Sequence, residues 1–219
     1  IRRFYDSKKV KLFLTGSSSK LLSTEIATSL RGRSIPVEVY PYSFAEYWKA
    51  HEITPPKAPI GKKTIDQFYQ HLKEYFSIGG FPAVQHLSEP TRRTVLQEYV
   101  STVIFRDIIE RHNISKITLI KYLIKTLIKN VSAPFSAHKF FKDTQSQGHK
   151  VGKDTIYQYM EYIEDTFLIF RLPLFSESVR KVQTNPHKIY IVDNGLIRAT
   201  RFGPSLQWGN LFENQIFWS

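Results

Sequence analysis

The chain of 219 residues has no cysteine and a single methionine, so disulfides and thiolate metal sites are excluded. Long apolar runs are missing too. None reaches the roughly 18 residues that a membrane helix needs, and no signal peptide opens the chain. The expectation is a cytoplasmic protein with no membrane partner. Acids are in short supply. Against 31 lysines and arginines stand only 19 aspartates and glutamates, a net charge of +12. That balance points to nucleic acid or another polyanion, or else to a plain lysine-rich surface. No G-x-x-x-x-G-K-[ST] occurs, so the loop that cradles phosphates is lacking. No apolar strand ends in paired acids that could hold magnesium. The seven histidines are scattered without i, i+4 zinc spacing, which argues against structural zinc.

What is present suffices for a sizeable core: 42% of the residues are hydrophobic, 14% aromatic and 23% charged, far from a disordered composition. Val10, Leu12, Phe13 and Leu14 form a short apolar run stopped by Thr15-Gly16-Ser17-Ser18-Ser19, the pattern of a buried parallel strand opening into hydroxyls. Helical spacing follows at Leu21, Leu22 and Ile26. Open α/β sheets place ligands at such strand ends, although an ordinary strand-to-helix turn reads the same way. Leu30-Arg31-Gly32-Arg33 then leads into Ile35 to Tyr40, a second expected strand, and on to Pro41-Tyr42-Ser43-Phe44.

This series, strand-TGSSS-helix, then LRGR, strand and PYSFAEYW, resembles the second half of the ATPase domain in a family of mostly archaeal and bacterial AAA+ type P-loop ATPases with a C-terminal region of unknown function. The resemblance continues through Gly79-Gly80-Phe81-Pro82, Phe105-Arg106-Asp107-Ile108 and Tyr190-Ile191-Val192-Asp193-Asn194-Gly195-Leu196 to Phe212-Glu213-Asn214. It implies a mixed α and β, mostly helical fold. Residues 1–50 would be the C-terminal part of an ATPase core, 51–115 a helical lid, 116–185 a winged helix, and 186–219 the start of a restriction-endonuclease-like domain. On this reading the chain is an internal piece of a longer protein, with the phosphate loop and magnesium acids upstream. ATP and magnesium are then cofactors of that longer protein, and no cofactor is expected for the isolated segment. The resemblance also admits a homo-oligomer. Ser17 and Ser18 sit where the family's sensor would orient the attacking water. Arg31 or Arg33 would neutralise charge at a γ-phosphate, or both are helix-end cations. The sequence does not choose between them.

The third piece has its own grammar. Thr118 to Lys129 reads as a helix with Leu119, Tyr122, Leu123 and Leu127 inward. A second helix begins at Ser136, a fitting N-cap, and Gly148 ends that segment. Lys153 to Thr166 is a third, with Ile156, Met160 and Ile163 on one face. Phe167 to Phe170 and Leu172 to Phe175 read as short strands around a hairpin. Three helices and a β-ribbon make a winged helix-turn-helix. Lys139, Lys142, Lys150 and Lys153 are its candidate DNA-phosphate contacts, with Arg171, Arg180 and Lys181 able to extend them. Against base reading stand Asp154, Glu161, Glu164 and Asp165 on the would-be recognition helix, since carboxylates repel flanking phosphates. A wing that only docks protein stays open. In the last piece Asp193 is a turn or cap residue, and Glu213 takes the place of a nuclease first-helix metal acid or is solvated surface. The leading functional expectation is the middle of an ATPase coupled to a DNA-associated module; the alternative is a non-enzymatic adaptor binding DNA or protein.

Overall fold

A computed structural model of the protein describes Lys11, Phe13, Thr15, Gly16, Ile35 and residues 37–55, 61–200 and 207–218. Ser17, Ser18, Arg31 and Arg33 lie outside these residues. Of the two expected N-terminal strands, Lys11, Phe13, Ile35 and Val37 to Tyr40 carry no β pairing among the described residues. Ile35 and Val39 are 90% and 89% exposed. A parallel strand is defined by ladders to its neighbours, and the described chain supplies none here.

Among the described residues the first regular element is α1, Phe44–Ala50, set by a capping box in which Ser43 and Glu46 satisfy each other's backbone N–H groups. The next helix, α2, spans Lys62–Ile78. Tyr75 and Phe76 bury its inner face, whereas Ile65 and Phe68 are exposed. Phe68 closes edge-on over Phe44 and Trp48 rather than entering the core. Then α3, Glu89–Thr102, starts with proline in its first turn and widens without a break into a π-helix, Val103–Glu110. Leu96 and Val100 are buried on α3, with Val95 and Tyr99 partly buried against the same core.

The helices α4 (Ile117–Lys129), α5 (Ala137–Ser146) and α6 (Lys153–Glu164) follow. Paired apolar residues at Leu119/Ile120, Leu123/Ile124 and Leu127/Ile128 give α4 a wide stripe, against which Ile156, Met160 and Ile163 of α6 belong to the same core. Ser136 accepts the Lys139 N–H at 3.2 Å, and Gly148 ends the segment at φ +84°. With them goes a three-stranded antiparallel sheet: β1 (Pro134–Phe135), β2 (Ile169–Leu172) and β3 (His187–Ile191), ordered β1-β3-β2. Pro134 faces Lys188, and Ile169 faces Ile191.

Here the structure corrects two expectations. The hairpin over 167–175 does not form: Phe167 turns at φ +58°, Pro173 removes a ladder donor, and Phe175 is 97% exposed. The partner of β2 is β3, reached past a short helix α7, Val179–Thr184. Because β3 is the central strand, the boundary expected at 185/186 cuts through the unit formed by α4 to α6, and that unit runs to Ile191. Two further helices complete the described chain, α8 (Asn194–Thr200) and α9 (Trp208–Phe217). Among the described residues no helix is long and apolar enough to cross a membrane.

Candidate functional site

Three of the motifs singled out by sequence meet at one carboxylate. Gly79 leaves α2 at φ +82°, and a Cβ there would lie 2.3 Å from Asp193 Oδ1. A Cβ on Gly80 would lie 2.3 Å from the Tyr42 carbonyl, and one on Gly195 2.4 Å from that of Ile78. Backbone therefore packs on backbone, which only glycine permits. Into this space Asp193 projects as the cap of α8: Oδ2 accepts the Gly80 N–H at 2.5 Å, and Oδ1 accepts the Leu196 N–H at 3.1 Å. Complete burial pushes its carboxyl up to about 6, against the opposing pull of the Gly80, Leu196 and Gly195 amides. The surrounding groups are equally engaged. Tyr42 N–H donates to Gly80 O at 2.8 Å, the Tyr75 hydroxyl to Tyr42 O at 2.6 Å, and Gln85 Nε2 to the Gly79 carbonyl at 3.0 Å.

The Phe212-Glu213-Asn214 motif splits between interior and surface. Asn214 Oδ1 accepts the Ile191 N–H at 2.9 Å, while its amide donates to Ile191 O at 2.9 Å and Asn194 Oδ1 at 3.1 Å. Glu213 points the other way and accepts from Lys188 Nζ at 2.7 Å and the Tyr190 hydroxyl at 2.9 Å. Lys188 first, then Tyr190, holds its carboxyl below the usual range despite partial burial. Among the described residues no group of three or more His, Cys, Asp or Glu could hold a metal. Asp193 serves as a cap, one of the two roles its sequence context suggested.

A cavity of about 790 Å³ lies between the N-terminal segment and the π-helix, lined by Thr15, Gly16, Tyr40, Phe81, Arg106 and Asp107 among others. It brings the T-G of the expected sensor strand beside the F-R-D motif. The same helical stretch reaches the α4–α6 unit at two points. Lys121 Nζ sits 4.5 Å over the Phe105 ring, and His112 stacks on Tyr162 with centroids 3.6 Å apart. In the sequence Arg106 belongs to the F-R-D of the resemblance without a role of its own, a cation beside an acid on a helix.

The candidate DNA contacts do not form one row. Lys139 and Lys142 are exposed on α5, Lys150 lies in the α5–α6 turn, and Lys153 opens α6 with its ammonium 5.5 Å over the Tyr157 ring. Arg171 is engaged by Glu164 through two hydrogen bonds, one of 2.6 Å, so it is not available to extend them. Asp154, Gln158 and Glu161 are exposed on α6.

Residues 1–48 match a family model described as an AAA domain. Over 99% of its length the chain is 35% identical to an uncharacterized protein of Methanocaldococcus jannaschii, covering 48% of that protein. It is 28% identical, over 94% of its length, to an uncharacterized protein of Haemophilus influenzae, covering 50% of it. The chain thus spans about half the length of the curated relatives it matches. No solved structure matches. The other family model matches residues 69–206, more than half of the chain and all of its α4–α6 unit, and the chain accordingly belongs to the family described as Domain of unknown function (DUF8612).

Proposed function

We propose that the chain is part of a nucleotide-binding, AAA-like ATPase in which hydrolysis is coupled to a winged-helix module associated with DNA. The observation that carries the ATPase half is the cavity that Thr15 and Gly16 share with Arg106 and Asp107, taken with the AAA match over 1–48. At about 790 Å³ it has the size of a ligand site. Thr15 and Arg106 suit one wall of a phosphate site, the hydroxyl as donor and the guanidinium as fixed cation. A phosphate loop and magnesium-holding acids, absent from the sequence, would be needed from elsewhere in a longer protein. ATP, when bound, supplies the phosphoryl group. In this reading Ser17 and Ser18 position water, and Arg31 or Arg33 stabilises developing negative charge.

The element order helix–strand–helix–helix–strand–helix–strand, with the sheet ordered β1-β3-β2, supports reading 117–191 as a winged helix whose long β2–β3 connection, carrying α7, stands in the place of the wing. The acidic outer face of α6 argues against base reading, so contact through phosphates is the form of DNA association proposed. The nuclease-like tail finds less support. Glu213 would have to exchange Lys188 and Tyr190 for a metal.

Two measurements test the ATPase reading. The 219-residue chain alone should release no phosphate from ATP above a mock preparation. In a protein of the relatives' full length, replacing the responsible one of Arg31 and Arg33 with Ala should lower turnover about 10³-fold while leaving nucleotide binding largely intact. Unchanged turnover in both single variants would reduce them to helix-end cations.

A further inference from the structure

We propose that the cavity between the start of α4 and the α5–α6 turn is a phosphate-binding niche. The cavity measures about 460 Å³, and Ser115, Lys116, Thr118, His149 and Lys150 supply its polar lining, with no carboxylate among its lining residues. Two segments distant in sequence build it. Ser115 to Thr118 lead into α4, while Gly148, at φ +84°, bends the chain back so that His149 and Lys150 stand across from them. The two sides are tied by a specific contact, Lys116 Nζ donating to the Lys150 carbonyl. An ammonium has three donors, so this bond orients Lys116 at the niche and leaves two donors for a ligand.

Two lysines in one small cavity without a lining carboxylate repel each other, and an anion relieves that repulsion. The donor set selects which anion. Compact ammonium charges and rotatable hydroxyls approaching from two sides suit a tetrahedral oxyanion, whereas a planar carboxylate is better served by the fork of an arginine. Of the four lysines named from sequence only Lys150 belongs to the niche. Lys139 and Lys142 stand on the open face of α5.

The phosphate has two sources, a nucleic-acid backbone or free phosphate. Only the first rests on the DNA-associated reading above.

The experiment uses the 219-residue chain. Anisotropy of a labelled, random-sequence duplex is measured across a salt series. Separately, pyrophosphate is titrated while the backbone amides of Ser115 to Thr118 and of His149 and Lys150 are followed by NMR. The variants are the double Lys116→Ala/Lys150→Ala, the single Lys150→Gln, which keeps the carbonyl that Lys116 grips, and the control double Lys139→Ala/Lys142→Ala. Melting curves confirm folding, and if the niche double does not fold, Lys150→Gln decides.

The niche double should weaken duplex binding at least ten-fold and lower the log–log salt slope by about two units. It should also abolish the pyrophosphate shifts. Loss of those shifts with duplex binding unchanged would assign the niche to free phosphate. If the chain binds no duplex at all, the DNA reading falls and the pyrophosphate arm alone decides the niche. Pyrophosphate shifts that survive in the niche variants, or that never arise in the parent chain, overturn the proposal.

Discussion

The Asp193 junction and the basic turn at 115–118/148–151 handle polarity in opposite ways. At the junction a carboxylate is sealed among glycines, and each of its described neighbours is committed: Gly80 and Leu196 donate to it, and Gln85 caps the Gly79 carbonyl. At the turn, cations line an open cavity, and a tie from Lys116 to the Lys150 carbonyl spans the two sides. A buried polar group is costly unless it is hydrogen-bonded, while surplus donors at a surface are free for a partner. At the first place the acid is structural, and at the second the cations line an open cavity.

The contrast is broken most severely at the glycines. Gly195→Ala would put a methyl 2.4 Å from the Ile78 carbonyl. With backbone on both sides, relaxation is confined, and a loss of about 3 kcal/mol or more is expected in chemical denaturation. The same change at Gly148, with nothing within 4 Å, meets no clash and costs only the left-handed backbone penalty, about 1 kcal/mol.

Asp193→Asn sharpens the comparison through pH. The folded carboxyl titrates at about 6, above its ordinary value of 3.8, so the folded chain holds this proton more tightly than the unfolded one. The associated stability is fully present below pH 4 and is lost as pH rises to about 6, on the order of 3 kcal/mol over the window. In the Asn variant that downward slope should vanish from the stability–pH profile. An unchanged profile would show that Asp193 titrates as an ordinary acid.

Smaller effects belong to the surface. Glu213→Gln removes a half-exposed ion pair with Lys188, 2.7 Å long, and should cost no more than about 1 kcal/mol, read as a small shift in melting temperature. Smallest of all is Lys139→Ala/Lys142→Ala, expected to leave stability within about 0.5 kcal/mol and to trim the salt slope of any duplex binding less than the niche double does.

How far these features were legible follows from how local they are. The helices α4 to α6 were readable because apolar residues recur at helical spacing within single windows, and Ser136 and Gly148 punctuate them. Asp193 was readable as a cap from the Asn194-Gly195 that follows it. Its partner Gly80 lies 113 residues away, and no local pattern announces such a pairing. The wing was misread for the same reason. Leu172 to Phe175 is apolar enough to look like a returning strand, but Pro173 cannot join a ladder, and the strand that does return, β3, sits beyond α7. Glu213 was visible as an acid, but nothing nearby in sequence shows that Lys188 and Tyr190 take it. The N-terminal strands read clearly as apolar runs, yet a run becomes a strand only when it has something to pair with.

The central position of β3 also sets an order of events in folding. Both β1 and β2 hydrogen-bond to β3, so neither edge strand has a ladder until the chain has been made through Ile191. During synthesis α4, α5 and α6 can form from local contacts, while closure of the sheet waits for a long loop to be drawn in, the slow kind of step in folding. Until then Ile169 and Phe135 face solvent with unpaired backbone beside them. A ribosome stalled before residue 191 would therefore present a half-built, aggregation-prone core, and expression boundaries for this unit belong after β3 rather than before it.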